Sequence, residues 1–484
     1  MSPAGSTVRA VVMAAGLGTR MRSRRPKVLH ELCGRPMLAY VLDAAAGLGA
    51  GEAQGPPARP LVVVSPVTAA VRERFAAEAD FAEQAEPRGT GDAVRAALDA
   101  LAGTGDALSA TIVVLSGDAP LLTSAAVAEL ADAHAAAGAA MTLTVFHPPD
   151  PHGYGRVVQD AGGVTRIVEE QDGGHLLDGL GDLNGGLYAF DTRWLQGRIG
   201  ALTPSPASGE LYLTELVALA RADGRPVAVY ELDDWLELAA INDRLQLAFV
   251  EAEMRRRILA RHMLAGVTVV DPATAYVEAG VELAPDVVLE PNVSLRGRTR
   301  VGEGSIIGSG CQIFDSVVGS GCRIWASLLE SAEVEDGVQI GPLSHLRPGA
   351  SIGAGARIGN FAEVKNSRLG PGVQQHHFSY LGDADVGERT NVGAGTITAN
   401  YDGVRKNRTT IGRHVSLGVD TMLRAPITIG DDAVTGAGAV VTHDVPPGKL
   451  AVGVPARIRT PHAPKTVGLD DPPSEPPAEA AGSS

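Results

Sequence analysis

Aromatic residues make up only 4% of the 484-residue chain. So few flat rings offer no stacking platform for unpaired nucleic-acid bases. Cations are also scarce: 41 Lys and Arg face 56 Asp and Glu, for a formal net charge of −15. That balance excludes a general attraction to nucleic acid or to an anionic membrane. Any phosphate the chain handles must therefore meet a few locally placed cations. The three cysteines, Cys33, Cys311 and Cys322, are too few and too scattered for a disulfide framework or a zinc site. They fit a reducing compartment, and a cytoplasmic location is expected. No apolar run approaches the roughly 18 residues of a membrane span. The stretch Val11–Leu17 runs into Gly18-Thr19-Arg20, not into a small-residue cleavage site, so no signal peptide is read there. In compensation, glycine (59) and proline (31) together approach a fifth of the chain, against about 12% in an average protein. That excess means many turns and suggests a repeat.

The two halves follow different rules. In the first, Val8–Met13, Leu61–Val64 and Thr111–Leu115 are continuous apolar runs of strand length. Between and after them lie helical stretches at Ala69–Ala79, Asp92–Leu101 and Ser124–Ala137, the last with Thr123 as a candidate N-cap. Strands alternating with helices predict an α/β domain with a mostly parallel, Rossmann-like sheet. Gly49–Pro60 reads as a Gly/Pro-rich surface loop.

The second half repeats every six residues. An aliphatic residue recurs at Val281, Val287, Val293, Val301, Ile307 and Ile313, and again at Val334, Ile340, Leu346, Ile352, Ile358 and Val364. It returns at Ile411, Leu417, Leu423 and Ile429. No α-helix has this period, whereas three hexapeptides make one triangular coil of a parallel β-helix, about 18 residues per turn. Between the halves, Glu237–Met263 keeps helical apolar spacing and reads as one helix. The expected organisation is a nucleotide domain over 1–236, a linker helix over 237–264, a left-handed β-helix over 265–457 and a disordered Pro/Glu/Ala/Ser tail over 458–484.

The turn after the first strand reads Ala14-Ala15-Gly16-Leu17-Gly18-Thr19-Arg20-Met21, then Pro26-Lys27. Its glycines would let backbone N–H groups approach a phosphate. Met21 stands where a dinucleotide loop needs its third glycine, and no Gly-Lys-Ser/Thr follows, so neither a Rossmann fingerprint nor a Walker loop is present. Taken alone, the turn is a weak signal, since a tight structural turn can read the same way. Taken with Gln84, Gly89-Thr90-Gly91, Gly117-Asp118-Ala119-Pro120-Leu121, Gly153-Tyr154-Gly155-Arg156, Glu169, Asn184 and Asn242-Asp243-Arg244, it resembles the sugar-nucleotide pyrophosphorylase family. With the hexapeptide half, the chain up to about residue 457 resembles the bacterial family of bifunctional N-acetylglucosamine-1-phosphate uridyltransferases and glucosamine-1-phosphate acetyltransferases.

That resemblance implies transfer of UMP from UTP to a sugar 1-phosphate, with release of pyrophosphate. Arg20 and Lys27 would hold the triphosphate, while Ala14, Gly16, Gln84, Gly89 and Thr90 would read uracil and ribose. Gly155, Glu169 and Asn184 would hold the acetamido sugar, and Asp118 and Asn242 would ligate Mg²⁺. Without the family pattern, Asp118 is simply a strand-end carboxylate, and Asn242 a helix N-cap. The sequence departs from the family at Leu17, at Ser116 and at Asp92, which stands where histidine is frequent.

In the repeat half, polar residues interrupt the hexads at Arg347, Asn360–Asn366, His377–Asp383 and Asn391–Gly395, and Asn400–Lys406 breaks the period. The resemblance implies that His377 is the general base of amide formation from acetyl-CoA, a role suited to a side chain titrating near neutrality. Glu363 is a possible orienting carboxylate. Arg347, Lys365 and Lys406 would grip the sugar phosphate, with Tyr380 and Asn391 on the sugar. Acetyl-CoA would lie against Ala394, Asn400, Tyr401, Val419, Ala437 and Arg457. Val419 and Val454 replace a serine and an arginine frequent in the family. In a strand, His376 and His377 would point to opposite faces, leaving His376 to solvent. The family also forms homotrimers through the β-helix. Two other readings fit the architecture: a nucleotidyltransferase with a regulatory β-helix, and a non-enzymatic assembly subunit. The first predicts no cluster of His377, Asn400 and Lys406, and the second no Lys27 or Asp118; all five are present.

Overall fold

The computed structural model describes residues 8–48, 59–103, 109–173, 181–206 and 208–460. Most of the expected loop at 49–60, and the tail beyond 460, lie outside the described residues. The chain divides into two compact units, Met1–Ile258 and Leu259–Ser484.

In the first unit, strands β1 (Val8–Met13), β2 (Leu61–Val64), β3 (Asp80–Glu83), β4 (Thr111–Ser116) and β5 (Met141–Phe146) are joined by a hairpin of β6 (Arg156–Asp160) and β7 (Gly163–Val168), then β8 (Leu183–Asp191) and β9 (Val227–Glu231). The main sheet runs β9-β5-β8-β4-β1-β2-β3. The pairs β3–β2–β1–β4 and β9–β5 are parallel, and β8 alone runs antiparallel to both its neighbours. The mostly parallel expectation holds, with one reversed strand in the middle. β2 and β5 are buried along their whole length; β2 therefore reads as an unbroken apolar run, while β5 carries two buried threonines, Thr142 and Thr144.

Helices α1 (Met37–Ala46), α2 (Ala69–Phe75), α3 (Thr90–Gly103), α4 (Ser124–Ala137), α5 (Thr192–Arg198) and α6 (Leu216–Ala222) complete the unit. α2 stops four residues before its expected end. α4 has its expected bounds: the Thr123 side chain accepts from the N–H of Ala126, a cap worth about 1 kcal/mol, and Gly138 closes the helix in the left-handed region.

The single helix expected from Glu237 does not form. Trp235–Leu238 is one short 3₁₀ turn, and helix α7 runs Arg244–Leu264. The break has a local cause. Asp234 caps the first turn through the N–H of Leu236, and Asp243 starts α7 by accepting from the N–H groups of Leu245 and Gln246. Apolar spacing continued across this break because Leu238 and Ile241 are buried in their own right.

The second unit stacks short strands of two to four residues into three sheets, parallel throughout except for the closing hairpin of Leu450–Val452 and Arg457–Arg459. Register steps of 16 to 18 residues relate most successive coils, as in Gln312 to Leu328, Glu363 to Tyr380 and Leu295 to Ile313. Every aliphatic residue of the hexad series is buried. Each such side chain contributes roughly 1.5–3 kcal/mol on transfer from water. One coil is longer: Asp385 pairs with Thr410, the extra length being the loop that contains Tyr401 and Lys406. Among the described residues no helix is long and apolar enough to cross a membrane.

Candidate active sites

In the first unit a cavity of about 240 Å³ opens at the carboxyl ends of β1 and β3, lined by Ala14, Gly16, Lys27, Gln84, Gly89, Thr90 and Asp118 among others. The turn after β1 is shaped by Gly18, whose φ is +66°; a Cβ there would meet Cβ of Lys27 at 2.5 Å. Only glycine lets the loop lie against Lys27. The opposite lip is held from far along the chain. Gly91 N–H donates to the carbonyl of Leu211, and a Cβ on Gly89 would strike that carbonyl at 2.6 Å.

Four of the expected residues converge on one point. The Lys27 ammonium bonds the carboxylate of Asp118 and, at 3.1 Å, Oδ1 of Asn242, which also accepts from Arg20 at 3.0 Å. Ser116 donates to the other Asp118 oxygen at 2.6 Å. Burial alone would push the Asp118 carboxyl up. The charge and hydrogen bond of Lys27, with the bond from Ser116, overcome it and hold Asp118 below the usual carboxylate range. Asn242 does not cap α7; Asp243 does, which leaves the Asn242 amide oxygen free to face the cations. Two hard oxygens already converge here on a cation. Among the described residues no cluster of three or more His, Cys, Asp or Glu could hold a metal. This donor set fits Mg²⁺, which takes few protein ligands and completes its shell with phosphate and water.

The residues expected on the sugar are contiguous. Asn184 N–H donates to the Gly155 carbonyl at 2.9 Å, and a Cβ on Gly155 would sit 3.4 Å from Oε2 of Glu169. The Asn184 amide bonds the Tyr188 hydroxyl at 2.7 Å, and Glu169 accepts from Thr214 at 2.9 Å. Burial pushes the Glu169 carboxyl up against the pull of Thr214, and Asp172, Glu210 and Glu215 add to the rise. Thr90 accepts from the N–H of Leu213, next to Thr214, which joins the two parts of the site. Thr214 and Tyr188 were not anticipated; no local motif marks them.

In the second unit, register places the expected acetyl-site residues in columns. Extending the pairs Gln374–Asn391, Asn391–Ser416 and Ser416–Val434 by three residues aligns His377, Ala394, Val419 and Ala437 in four successive coils. Arg457 pairs with Val452 in the closing hairpin. On the adjacent sheet Arg347 aligns with Lys365, and Glu363 pairs with Tyr380. Lys406, within hydrogen-bonding reach of Lys365, depresses its pKa, and the charges of Lys406 and Arg347 add to the effect. Three cations thus face one another, an arrangement that suits an anion. Asn391 and Tyr401 are exposed.

Two expectations are corrected. Glu363 bonds Arg347 at 2.8 Å, and among the described residues it makes no bond to His377. His376 is exposed as expected, but the strand Gln374–Gln375 ends before both histidines, so alternation does not separate them: His377 is exposed too, the rings 6.4 Å apart. His376 is held by Gln374 at 2.7 Å.

The residue that sequence reading missed here is Asp383. Its buried carboxylate accepts from the side-chain amides of both Asn366 and Asn400, one on each oxygen. The three occupy one column, 17 residues apart each time, a spacing that could have betrayed them.

Comparison with known proteins agrees with this division. A family model for the MobA-like NTP transferase domain matches residues 10–178, and one for the bacterial transferase hexapeptide (six repeats) matches 331–366. The chain is 44% identical to the bifunctional protein GlmU of Kineococcus radiotolerans, covering 92% of this chain and 89% of that protein. It is 43% identical to the protein of the same name from Mycobacterium bovis, and 42% to that of Mycolicibacterium vanbaalenii, each over 91% of this chain and 89% of the relative.

Proposed function

The chain belongs to the GlmU family of bifunctional proteins, and we propose that its two units carry two successive chemistries, from glucosamine 1-phosphate to UDP-N-acetylglucosamine. The repeat unit acetylates the amine of glucosamine 1-phosphate with acetyl-CoA. The first unit then transfers UMP from UTP to the product and releases pyrophosphate. The observation that carries this reading is the presence in one chain of two separate charge-organised sites, Lys27–Asp118–Asn242 and Arg347–Lys365–Lys406 beside the His377 column.

In acetyl transfer, the amine nitrogen attacks the thioester carbonyl carbon. His377 takes the amine proton, and the C–S bond breaks to release CoA. Arg347, Lys365 and Lys406 bind the sugar phosphate, with Tyr380 and Asn391 on the ring. Asn400 and Tyr401 flank the acetyl group. Ala394, Val419 and Ala437 give a shallow wall for the cofactor, and Arg457 offers charge to its phosphates.

In uridylyl transfer, the sugar phosphate oxygen attacks the α-phosphorus of UTP and the bond to pyrophosphate breaks. Two anions must approach, so cancelling charge dominates the barrier. Arg20 and Lys27 supply fixed cations. Asp118 and Asn242 hold Mg²⁺, which when bound adds further neutralisation of the phosphates. Ala14, Gly16, Gln84, Gly89 and Thr90 seat the nucleoside, and Gly155, Glu169 and Asn184 the acetamido sugar.

The same reading makes the protein a cytoplasmic homotrimer. Supporting the assembly, Leu343, Phe361 and Phe378 align at one corner of three successive coils, 56%, 61% and 56% exposed. A stripe of large apolar side chains in water marks a contact surface. Supporting the location, all three cysteines are buried.

The test supplies glucosamine 1-phosphate, acetyl-CoA, UTP and Mg²⁺ and follows CoA and pyrophosphate release separately. Both are expected, with pyrophosphate release dependent on acetylation. Release of pyrophosphate with no CoA release would reduce the reading to a single-function nucleotidyltransferase.

A further inference from the structure

Gln84 forms part of the wall between the nucleotide cavity and a second, polar pocket behind it. That second pocket is lined by Glu86, Arg88, Asp92, Arg95 and Asp99 together with Gln84 itself. The side chain is 3% exposed and follows the end of β3. Its amide nitrogen donates to Oδ2 of Asp92 at 2.9 Å and to the carbonyl of Gly89 at 3.2 Å. A carboxylate and a carbonyl can only accept, so the amide cannot turn over without setting oxygen against oxygen. Both amide hydrogens are committed. The polar atom that Gln84 has left for the cavity is its oxygen.

Asp92 is itself held. It is 5% exposed, in the first turn of α3. Its other oxygen, Oδ1, takes the guanidinium groups of Arg88 and Arg95. The two arginines neutralise the carboxylate and leave Oδ2 for Gln84. Asp92 does not line the nucleotide cavity; it acts from behind.

We infer that Asp92 is a positioning residue for base selection: it fixes the Gln84 amide so that the cavity presents an acceptor and no donor. Uracil carries an N–H at N3, which an acceptor receives. Cytosine carries an unprotonated nitrogen there, which an acceptor repels. The inference rests on the reading that Gln84 meets the base.

The test measures kcat/KM for UTP and for CTP, by pyrophosphate release from supplied N-acetylglucosamine 1-phosphate, in the full chain and in Asp92→Leu, Asp92→Asn and Gln84→Leu. A site built around one hydrogen bond discriminates strongly against the analogue that lacks it. Asp92→Leu should therefore lower the UTP-to-CTP ratio about tenfold or more, chiefly by raising KM for UTP. Asp92→Asn keeps an acceptor oxygen and should recover most of the ratio. CoA release, read in the same samples, should not change in either variant. If Gln84→Leu leaves the ratio intact, the base does not meet Gln84 and the underlying reading fails. If Gln84→Leu lowers it but Asp92→Leu does not, the role of Asp92 is overturned while Gln84 stands. Should Asp92→Leu fail to fold, Asp92→Ala, a good helix former, must show the same fall in ratio or the inference fails.

Discussion

The ammonium of Lys27 rests against the carboxylate of Asp118, both side chains largely withdrawn from water, and Asn242 shares the same ammonium. A cation and an anion thus wait together where a triphosphate and a sugar phosphate must meet. Substrate phosphate can take over Lys27 and leave the Asp118 carboxylate to the metal. Because Asp118 is held below the ordinary carboxylate range, it stays charged across the neutral range. The stability it lends is present above that range and fades only as pH falls through its lowered value.

Glu169 is shifted the other way, and its effect on stability has the opposite sign. Its pKa is raised in the folded state, chiefly by burial, so its ionisation weakens the fold as pH rises above the ordinary carboxylate value of about 4.3. Glu169→Gln keeps an oxygen for the Thr214 hydroxyl and carries no charge. Thermal melts of the two proteins should coincide at low pH and separate with rising pH, the glutamine form melting higher. Equal melting temperatures at every pH would show that Glu169 carries no burial penalty.

Asp383 holds the amides of Asn366 and Asn400 at once. Asp383→Ala strands both, at about 1–3 kcal/mol for each unsatisfied group. CoA release should fall at least as far as in Asn400→Ala, while pyrophosphate release from supplied N-acetylglucosamine 1-phosphate persists. Asp383 has φ near +52°, a conformation asparagine tolerates, so Asp383→Asn should keep the coil and an intermediate rate. Acetylation at the unsubstituted rate in Asp383→Ala would remove Asp383 from the site.

The exposed stripe tests the assembly. Phe361→Asp with Phe378→Asp places two charges at one corner of neighbouring coils without touching the buried hexad residues. Sedimentation should give a monomer, with CoA release lost and pyrophosphate release kept. An intact trimer would place the subunit contact elsewhere on the repeat.

What the sequence disclosed followed the range of the signal. The hexad aliphatics, the buried strands and α4 with its Thr123 cap are local patterns, and they stand at the expected positions. The start of α7 was missed because apolar spacing ran on through residues 239–243, while the cap chemistry of Asp243 ended the matter locally. The reversed strand β8 carries no local mark, since its direction is set by its neighbours β4 and β5. In the sites, Asp118 and Asn242 were named in advance because both sit in motifs. Thr214 was not, because its role depends on a contact with Glu169, 45 residues away. Asp383 stands inside the polar stretch His377–Asp383, but its task is not legible there, for its partners Asn366 and Asn400 lie one coil to either side.

The central claim is that one chain carries two independent chemistries, and crossing two variants tests it most directly. CoA and pyrophosphate release are measured in full-length Asp118→Ala and His377→Ala, with N-acetylglucosamine 1-phosphate supplied for the second assay. Asp118→Ala should lose pyrophosphate release and keep CoA release. His377→Ala should lose CoA release by about 10²–10⁴-fold, the usual cost of a general base, and keep pyrophosphate release. Parallel loss of both activities in either folded variant would contradict the account.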